Sequence, residues 1–102
     1  MKTDQINEEV LYAADDIVKA DANDIEGLKQ KAKLNLRKRI RICVHKDVKE
    51  NIHEMLIVHE KSCYVHPHKH IGKTESFHII EGLVDIIIFH ENGAINKTIS
   101  MG

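Results

Sequence analysis

The sequence is short of the residues that usually cross-link or anchor a small domain. It has no tryptophan, one proline and two cysteines, and Cys43 and Cys63 form neither a CxxC pair nor a disulfide framework. No apolar run, Ile86-Ile87-Ile88-Phe89 included, is long enough to cross a bilayer. Acidic residues interrupt the first segment, so no signal peptide is indicated. We therefore predict a soluble, reduced, cytoplasmic protein with no membrane partner.

An excess of charge of one sign is also missing. Fifteen Lys and Arg stand against sixteen Asp and Glu, which gives a net charge of -1. This balance argues against dominant non-specific binding to nucleic acid. The stretch from Lys29 to Arg41 contains no acid and could contact phosphate, but a solvated helix face that runs into a strand explains it more simply. We predict no nucleic-acid partner.

The length and the apolar pattern predict one structural domain with a helical start at residues 1–38 and a β domain at residues 39–102. Apolar residues between positions 8 and 20 recur at helical spacing. Asp24 is a plausible N-cap for a second helix, because Ile25, Leu28, Ala32 and Leu36 then form one apolar stripe.

From Arg39 onward the pattern changes to the alternation that is typical of strands. Strands are predicted at residues 39–45, 53–59, 64–70, 77–81 and 83–90, and a further one starts at Ile95. The strand at 53–59 is apolar on both faces, so we expect it to be buried on both faces or to pack beneath the helices. The pattern as a whole predicts a mainly β barrel or sandwich preceded by two short helices.

Histidine is the residue that the chain has in unusual number, eight in all, and two of the eight carry the clearest motif. In a strand His68 and His70 would share one face, with Cα atoms roughly 6.6 Å apart. A turn at residues 71–74 would let Glu75 approach from a neighbouring strand. Two imidazoles and one carboxylate form a facial set that binds Zn, Fe, Mn or Ni and leaves positions open. We predict a metal site at His68, His70 and Glu75.

The spacing from His68-x-His70 through Glu75 to Gly82 resembles the first conserved motif of the cupin superfamily. Within that superfamily the chain is similar to the WbuC-type cupin-fold metalloproteins over about residues 25–93. The similarity is carried by the following residues: Arg39-x-Arg41-x-Cys43-x-His45, Met55-Leu56-Ile57, Tyr64-x-x-Pro67-His68-Lys69-His70, Lys73-x-Glu75 and Phe89-x-x-x-Gly93.

The resemblance implies a cupin-like jelly roll, a divalent metal cofactor and a role in surface-polysaccharide biosynthesis. Cupins normally carry a second motif with a further His as fourth ligand, and this sequence ends at Gly102 before that motif would arrive. We therefore expect an incomplete cupin barrel. Water, a partner chain, His45 or His66 could fill the fourth position.

Three further side chains are candidates for binding an anionic or sugar-like substrate near the metal. Arg41 and Lys73 could hold a carboxylate or phosphate, although surface solvation is the simpler explanation for Lys73. Tyr64 could add a hydrogen bond from its hydroxyl, although packing explains it as well.

Two functions from different classes remain open. The first is a metal-dependent step on a small carbohydrate-type metabolite in surface-polysaccharide biosynthesis, with catalytic residues that the sequence leaves unknown. The second is a non-catalytic module, a degenerate cupin that binds metal or sugar. The expected partners are a small, sugar-like molecule and a second copy of the chain, because an unfinished sheet leaves an edge that pairs.

Overall fold

The structure is a computed structural model that describes residues 1–102. The chain separates into two compact units. Unit 1 is Met1–Pro67 and unit 2 is His68–Gly102. No helix in the structure has both the length and the apolar character needed to span a membrane.

Unit 1 is a four-stranded sheet with one helix. Its elements in chain order are β1 (Thr3–Gln5), β2 (Val10–Ala13), α1 (Ala22–Leu34), β3 (Arg39–Cys43) and β4 (Met55–His59). The strands lie in the order β1-β2-β3-β4; β2 and β3 are parallel, and the two outer pairs are antiparallel. Parallel neighbours need a crossover connection, and α1 supplies it.

The helix predicted between residues 8 and 20 is wrong, because Val10–Ala13 forms β2 and the structure contains one helix. Leu11 and Ala13 alternate with Val10 and Tyr12, so two of the four side chains are buried and two are partly exposed. Ile17, one of the apolar residues between positions 8 and 20 that recur at helical spacing, is 90% exposed. Backbone pairing with strands on both sides outweighed a helical pattern of only a few residues.

The predicted second helix is confirmed as α1, although its start differs. Asp21 is the N-cap and Asp24 lies three residues later, so the two form a capping box. The Asp24 N–H donates to Asp21 Oδ1 at 3.0 Å, and the Asp21 N–H donates to Asp24 Oδ2 at 2.9 Å. This second hydrogen bond is the largest of the effects that lower the pKa of Asp24.

The core of unit 1 lies between α1 and one face of the sheet. Its buried members are Leu11, Ala13, Leu28, Ala32, Ile40 and Ile42. Leu56 and Val58 of β4 are partly buried against it, whereas Met55 and Ile57 on the other face of β4 are exposed. Of the two alternatives expected for this strand, burial on both faces is wrong and packing beneath the helix is confirmed, because only the face toward α1 is covered.

Asn35 is the C-cap of α1, and its side chain ties three segments together. The residue is buried, and its Nδ2 donates to the Glu8 carbonyl at 2.5 Å and to the Arg39 carbonyl at 2.9 Å. Its backbone N–H donates to the Lys31 and Ala32 carbonyls. The amide therefore joins the helix end to the entry of β2 and the start of β3.

Glu9 neutralises part of the basic stretch. Its carboxylate accepts hydrogen bonds from Arg37 Nη2 at 2.6 Å and Arg37 Nε at 2.7 Å, and Arg39 Nε lies 3.3 Å away. The Glu9 side chain is 14% exposed, and that of Arg37 is 59% exposed. The hydrogen bonds from Arg37 hold the pKa of Glu9 below its usual 4.5.

Replacing Glu9 by glutamine should lower the free energy of unfolding of unit 1 by about 1 kcal/mol at neutral pH, a value already reduced for solvent screening. Since the folded-state pKa is lowered, this stabilisation is present above the unfolded pKa and is lost as the pH falls through the folded one. Urea unfolding at neutral pH and well below 4.5 tests this. The two proteins should then differ at neutral pH only; exposed Glu50→Gln is the control, and an equal effect from it would contradict the prediction.

Unit 2 is an irregular segment followed by a hairpin of β5 (Val84–Phe89) and β6 (Ile95–Met101). Both hairpin strands were predicted, within two residues of their ends. The strands expected at 64–70 and 77–81 are absent, because residues 60–83 form only turns, bends and irregular backbone. Pro67 interrupts the first of these segments, and Gly72, whose φ is 68°, bends the chain between the two.

The fold is thus mainly β, with two sheets, six strands and one helix. Neither sheet closes into a barrel. The prediction of a mainly β class is confirmed, and the prediction of two helices before the sheet is wrong.

Candidate functional site

The segment from His68 to Glu75 is an exposed, irregular stretch of unit 2. The sequence predicted that the pleat of a strand would position these side chains. That prediction is wrong, because the segment forms no strand. A bend at Gly72, where φ is 68°, turns the chain between the two histidines and the glutamate. Lys69 Nζ lies 2.8 Å from Glu91 Oε1, which links this segment to the β5–β6 turn.

The three predicted metal ligands contact one another in a row. His70 Nε2 lies 3.1 Å from Glu75 Oε1, and these side chains are 38% and 45% exposed. The rings of His68 and His70 meet edge to face, with centroids 4.7 Å apart and planes at 78°. The local turn therefore brings together the residues that a strand pair was expected to bring together.

Their present arrangement differs from that of a bound metal site. No group of three His, Cys, Asp or Glu side chains is placed so that it could hold a metal ion as it stands. Imidazole binds metal through a nitrogen lone pair in the ring plane, and here the Nε2 of His70 faces Glu75. The donor chemistry fits a divalent transition metal, provided that the His70–Glu75 contact opens and the rings turn.

His45, one candidate for the fourth ligand, is a buried residue of unit 1. Its Nδ1 lies 3.2 Å from the backbone nitrogen and 3.3 Å from the carbonyl oxygen of Glu54, so the ring is held against the backbone of that residue. Its ring stacks on His53 with centroids 4.2 Å apart and meets Tyr12 edge-on at 5.7 Å. These contacts give His45 a packing role between β2, β3 and the loop before β4.

His66, the other candidate, is exposed near the end of unit 1. Its ring meets that of Tyr64 at 77°, with centroids 4.9 Å apart. Tyr64 is itself 66% exposed, so its ring packs against this histidine and not in a core.

The predicted substrate-binding residues lie in different parts of the chain. Arg41 is exposed on β3, where its backbone N–H donates to the Glu9 carbonyl at 2.8 Å. Lys73 is exposed directly after the bend at Gly72. Arg41 and Tyr64 belong to unit 1, and Lys73 belongs to unit 2 with His68, His70 and Glu75.

Sequence reasoning missed two clusters in unit 1. One is the stacked pair of His45 and His53, and the other is Glu9 with Arg37 and Arg39. Nothing in the spacing of the two histidines signals their contact, because a loop and not a strand carries His53 to His45. A titratable group also stands out in β4: partial burial lowers the pKa of His59, and Arg39 opposite it adds to this effect.

Comparison with known proteins gives one match. A family model described as a domain of unknown function (DUF6016) matches residues 20–101, which run from the start of α1 to the end of β6 and include His68, His70 and Glu75. No curated protein and no solved structure matches the chain.

Proposed function

The chain belongs to the DUF6016 family, and we propose that it binds a divalent metal ion through His68, His70 and Glu75. One observation carries the proposal: His70 contacts both of the other side chains. His70 Nε2 lies 3.1 Å from Glu75 Oε1, and the ring centroids of His68 and His70 lie 4.7 Å apart. Small rotations of exposed side chains would then be enough to direct two imidazoles and a carboxylate at one ion.

The donor set limits which metal ions fit the site and what chemistry a bound ion would supply. Two imidazoles and one carboxylate suit Zn, Fe, Mn or Ni and leave coordination positions for water or a ligand. An ion bound there would polarise an oxygen of a small, oxygen-rich metabolite. Lys73, two residues before Glu75, supplies a cation on the same segment that would attract an anionic group of such a molecule.

The sequence motifs extend the proposal. The cupin-like jelly roll, the WbuC-type assignment and a metal-dependent step on a carbohydrate-type metabolite in surface-polysaccharide biosynthesis rest on the resemblance of those motifs. In this view the carbohydrate is the substrate class, and water completes the coordination.

A non-catalytic binding module is the second candidate, and the exposure of the segment favours it. The side chains of His70 and Glu75 are more than a third exposed, whereas reaction sites usually exclude water from the reacting groups. In this form the protein would hold metal or sugar without turning it over.

His70→Ala is the test of metal binding. His70 contacts both other ligands, so its loss should raise the Kd for Zn or Ni. Loss of a residue that only orients a metal ligand already weakens metal binding about tenfold or more, so the loss of a ligand should raise the Kd by at least that factor. Isothermal titration of the metal-free protein gives the Kd, and metal analysis of the purified protein gives the occupancy.

His78→Ala is the matched control, since His78 is an exposed histidine of the same unit outside the His68–Glu75 segment. It should leave the Kd unchanged. Equal weakening in both variants, or no metal binding by the wild-type protein, would contradict the proposal. If metal binds, adding candidate sugars to the loaded protein separates an enzyme, which turns them over, from a module, which only binds them.

A further inference from the structure

The hairpin of unit 2 has two outer edges, and neither is paired. β5 pairs with β6 and with no other strand. A two-stranded hairpin is at best marginally stable in water, whereas three or more strands with an apolar face are stable. The hairpin therefore needs either more strands or a cover.

The edge formed by β6 carries the features that prevent pairing. Lys97 lies near its middle, and Asn96, Thr98 and Ser100 are polar. Ile88 pairs with Lys97 and Phe89 with Ile95, so Asn96 is an extra residue that forms a bulge. Lysines and bulges on an edge strand disfavour pairing with another chain.

The edge formed by β5 has none of these features. Five of its six residues are apolar, and Val84, Ile87, Ile88 and Phe89 are between 37% and 45% exposed. Its one charge, Asp85, accepts a hydrogen bond from Ser100 Oγ at 2.8 Å within the hairpin. An exposed, apolar edge strand without lysine, proline or bulge is a template for another strand.

We propose that β5 pairs with β5 of a second copy of this chain, antiparallel, to form a four-stranded sheet in the order β6-β5-β5-β6. A two-fold axis through Ile86 or Ile87 places Asp85 opposite Ile87 or Phe89, so the two carboxylates do not face each other. The registers that keep the carboxylates apart are also those that set apolar residues opposite one another. Because β5 is complementary to itself in these registers, the strand that pairs with it is β5 of a second copy.

The size of the interface sets its strength. Stable protein interfaces bury at least about 1,200 Å² in total, and a six-residue edge buries less than that. The paired sheet has one face rich in apolar side chains from both hairpins, contributed in each copy by Val84, Ile86, Ile88, Ile99 and Met101. The small interface therefore gives a weak dimer, with a dissociation constant in the micromolar range. The dimer does not depend on the metal site proposed above.

Ile86→Lys and Ile99→Lys test the proposal as a matched pair. Ile86 and Ile99 are register partners on one face of the hairpin, and they differ in the edge to which each belongs. Ile86→Lys places a charge beside an apolar residue or a like charge of the second copy, and should raise the dimer Kd at least about tenfold. Ile99→Lys should raise it much less. Sedimentation velocity of the full chain over a dilution series measures both.

Hydrogen exchange of the unaltered protein is the second measurement and needs no variant to fold. The outward amides of β5 should exchange slowly in concentrated solution and faster on dilution, while those of β6 exchange fast throughout. Three results would overturn the pairing. They are a wild-type protein that stays monomeric at high concentration, equal dimer Kd values for the two variants, and hydrogen exchange in β5 that does not change with concentration.

Discussion

Replacing Ile40 by alanine is expected to lower the free energy of unfolding of unit 1 by about 2–5 kcal/mol. Ile40 is 1% exposed on β3, which lies between β2 and β4, and it belongs to the buried cluster beneath α1. Alanine would remove three methyl or methylene groups at a place where strands on both sides restrict collapse of the cavity. A core in a unit of this size supplies only about 3–5 kcal/mol of net stability, so the variant should be largely unfolded.

Urea denaturation followed by tyrosine fluorescence measures this effect, because Tyr12 and Tyr64 both lie in unit 1. Ile40→Val gives a graded result that remains measurable, with an expected loss of about 0.5–1.5 kcal/mol. Ile57→Ala is the control: Ile57 lies on β4 on the uncovered face and is 45% exposed. A loss at Ile57 as large as that at Ile40 would show that the core has been placed on the wrong face of the sheet.

The second large effect is expected from Asn35→Asp, which keeps the shape of the side chain and removes its donor. The Nδ2 of Asn35 donates to the carbonyls of Glu8 and Arg39. A carboxylate in its place would face two oxygens in a buried position, so both carbonyls would lose their donor and a charge would be buried without a partner. We expect a loss of about 3 kcal/mol or more.

Asn23→Asp makes the same chemical change at an exposed position in the first turn of α1. A negative charge near a helix N-terminus is mildly favourable, so this control should change the stability by less than about 1 kcal/mol. The same urea experiment compares the two variants. Equal stability of Asn35→Asp and wild type would mean that the amide does not bridge these segments.

The sequence was informative where one local pattern decided the structure. The stripe of Ile25, Leu28 and Ala32 predicts α1, and the alternation of Arg39, Ile40 and Arg41 predicts β3. Leu36 was placed in the same stripe but is 86% exposed beyond the helix end. Local periodicity identifies the element but does not locate its last turn, which here is fixed by the C-cap Asn35 and its tertiary hydrogen bonds.

The sequence was misleading where pairing between distant segments determined the secondary structure. Val10 to Ala13 could extend a helix by spacing, yet their backbone pairs with Thr3–Gln5 on one side and with β3 on the other. The strand predicted around His68 failed for the opposite reason, since its alternation has no neighbouring strand to pair with. Even so, the motif spacing identified three residues that contact one another, because a bend within eight residues needs no sheet.

The parallel pairing of β2 with β3 delays folding of unit 1 during synthesis. Val10 pairs with Arg41, so β2 and the whole of α1 are synthesised before the strand with which β2 pairs. Until residue 42 has left the ribosome, Leu11 and the apolar side of α1 have no Ile40 and Ile42 to cover them. The nascent chain therefore passes through an interval with uncovered apolar surface, the condition in which incomplete chains are most prone to aggregate and to recruit chaperones.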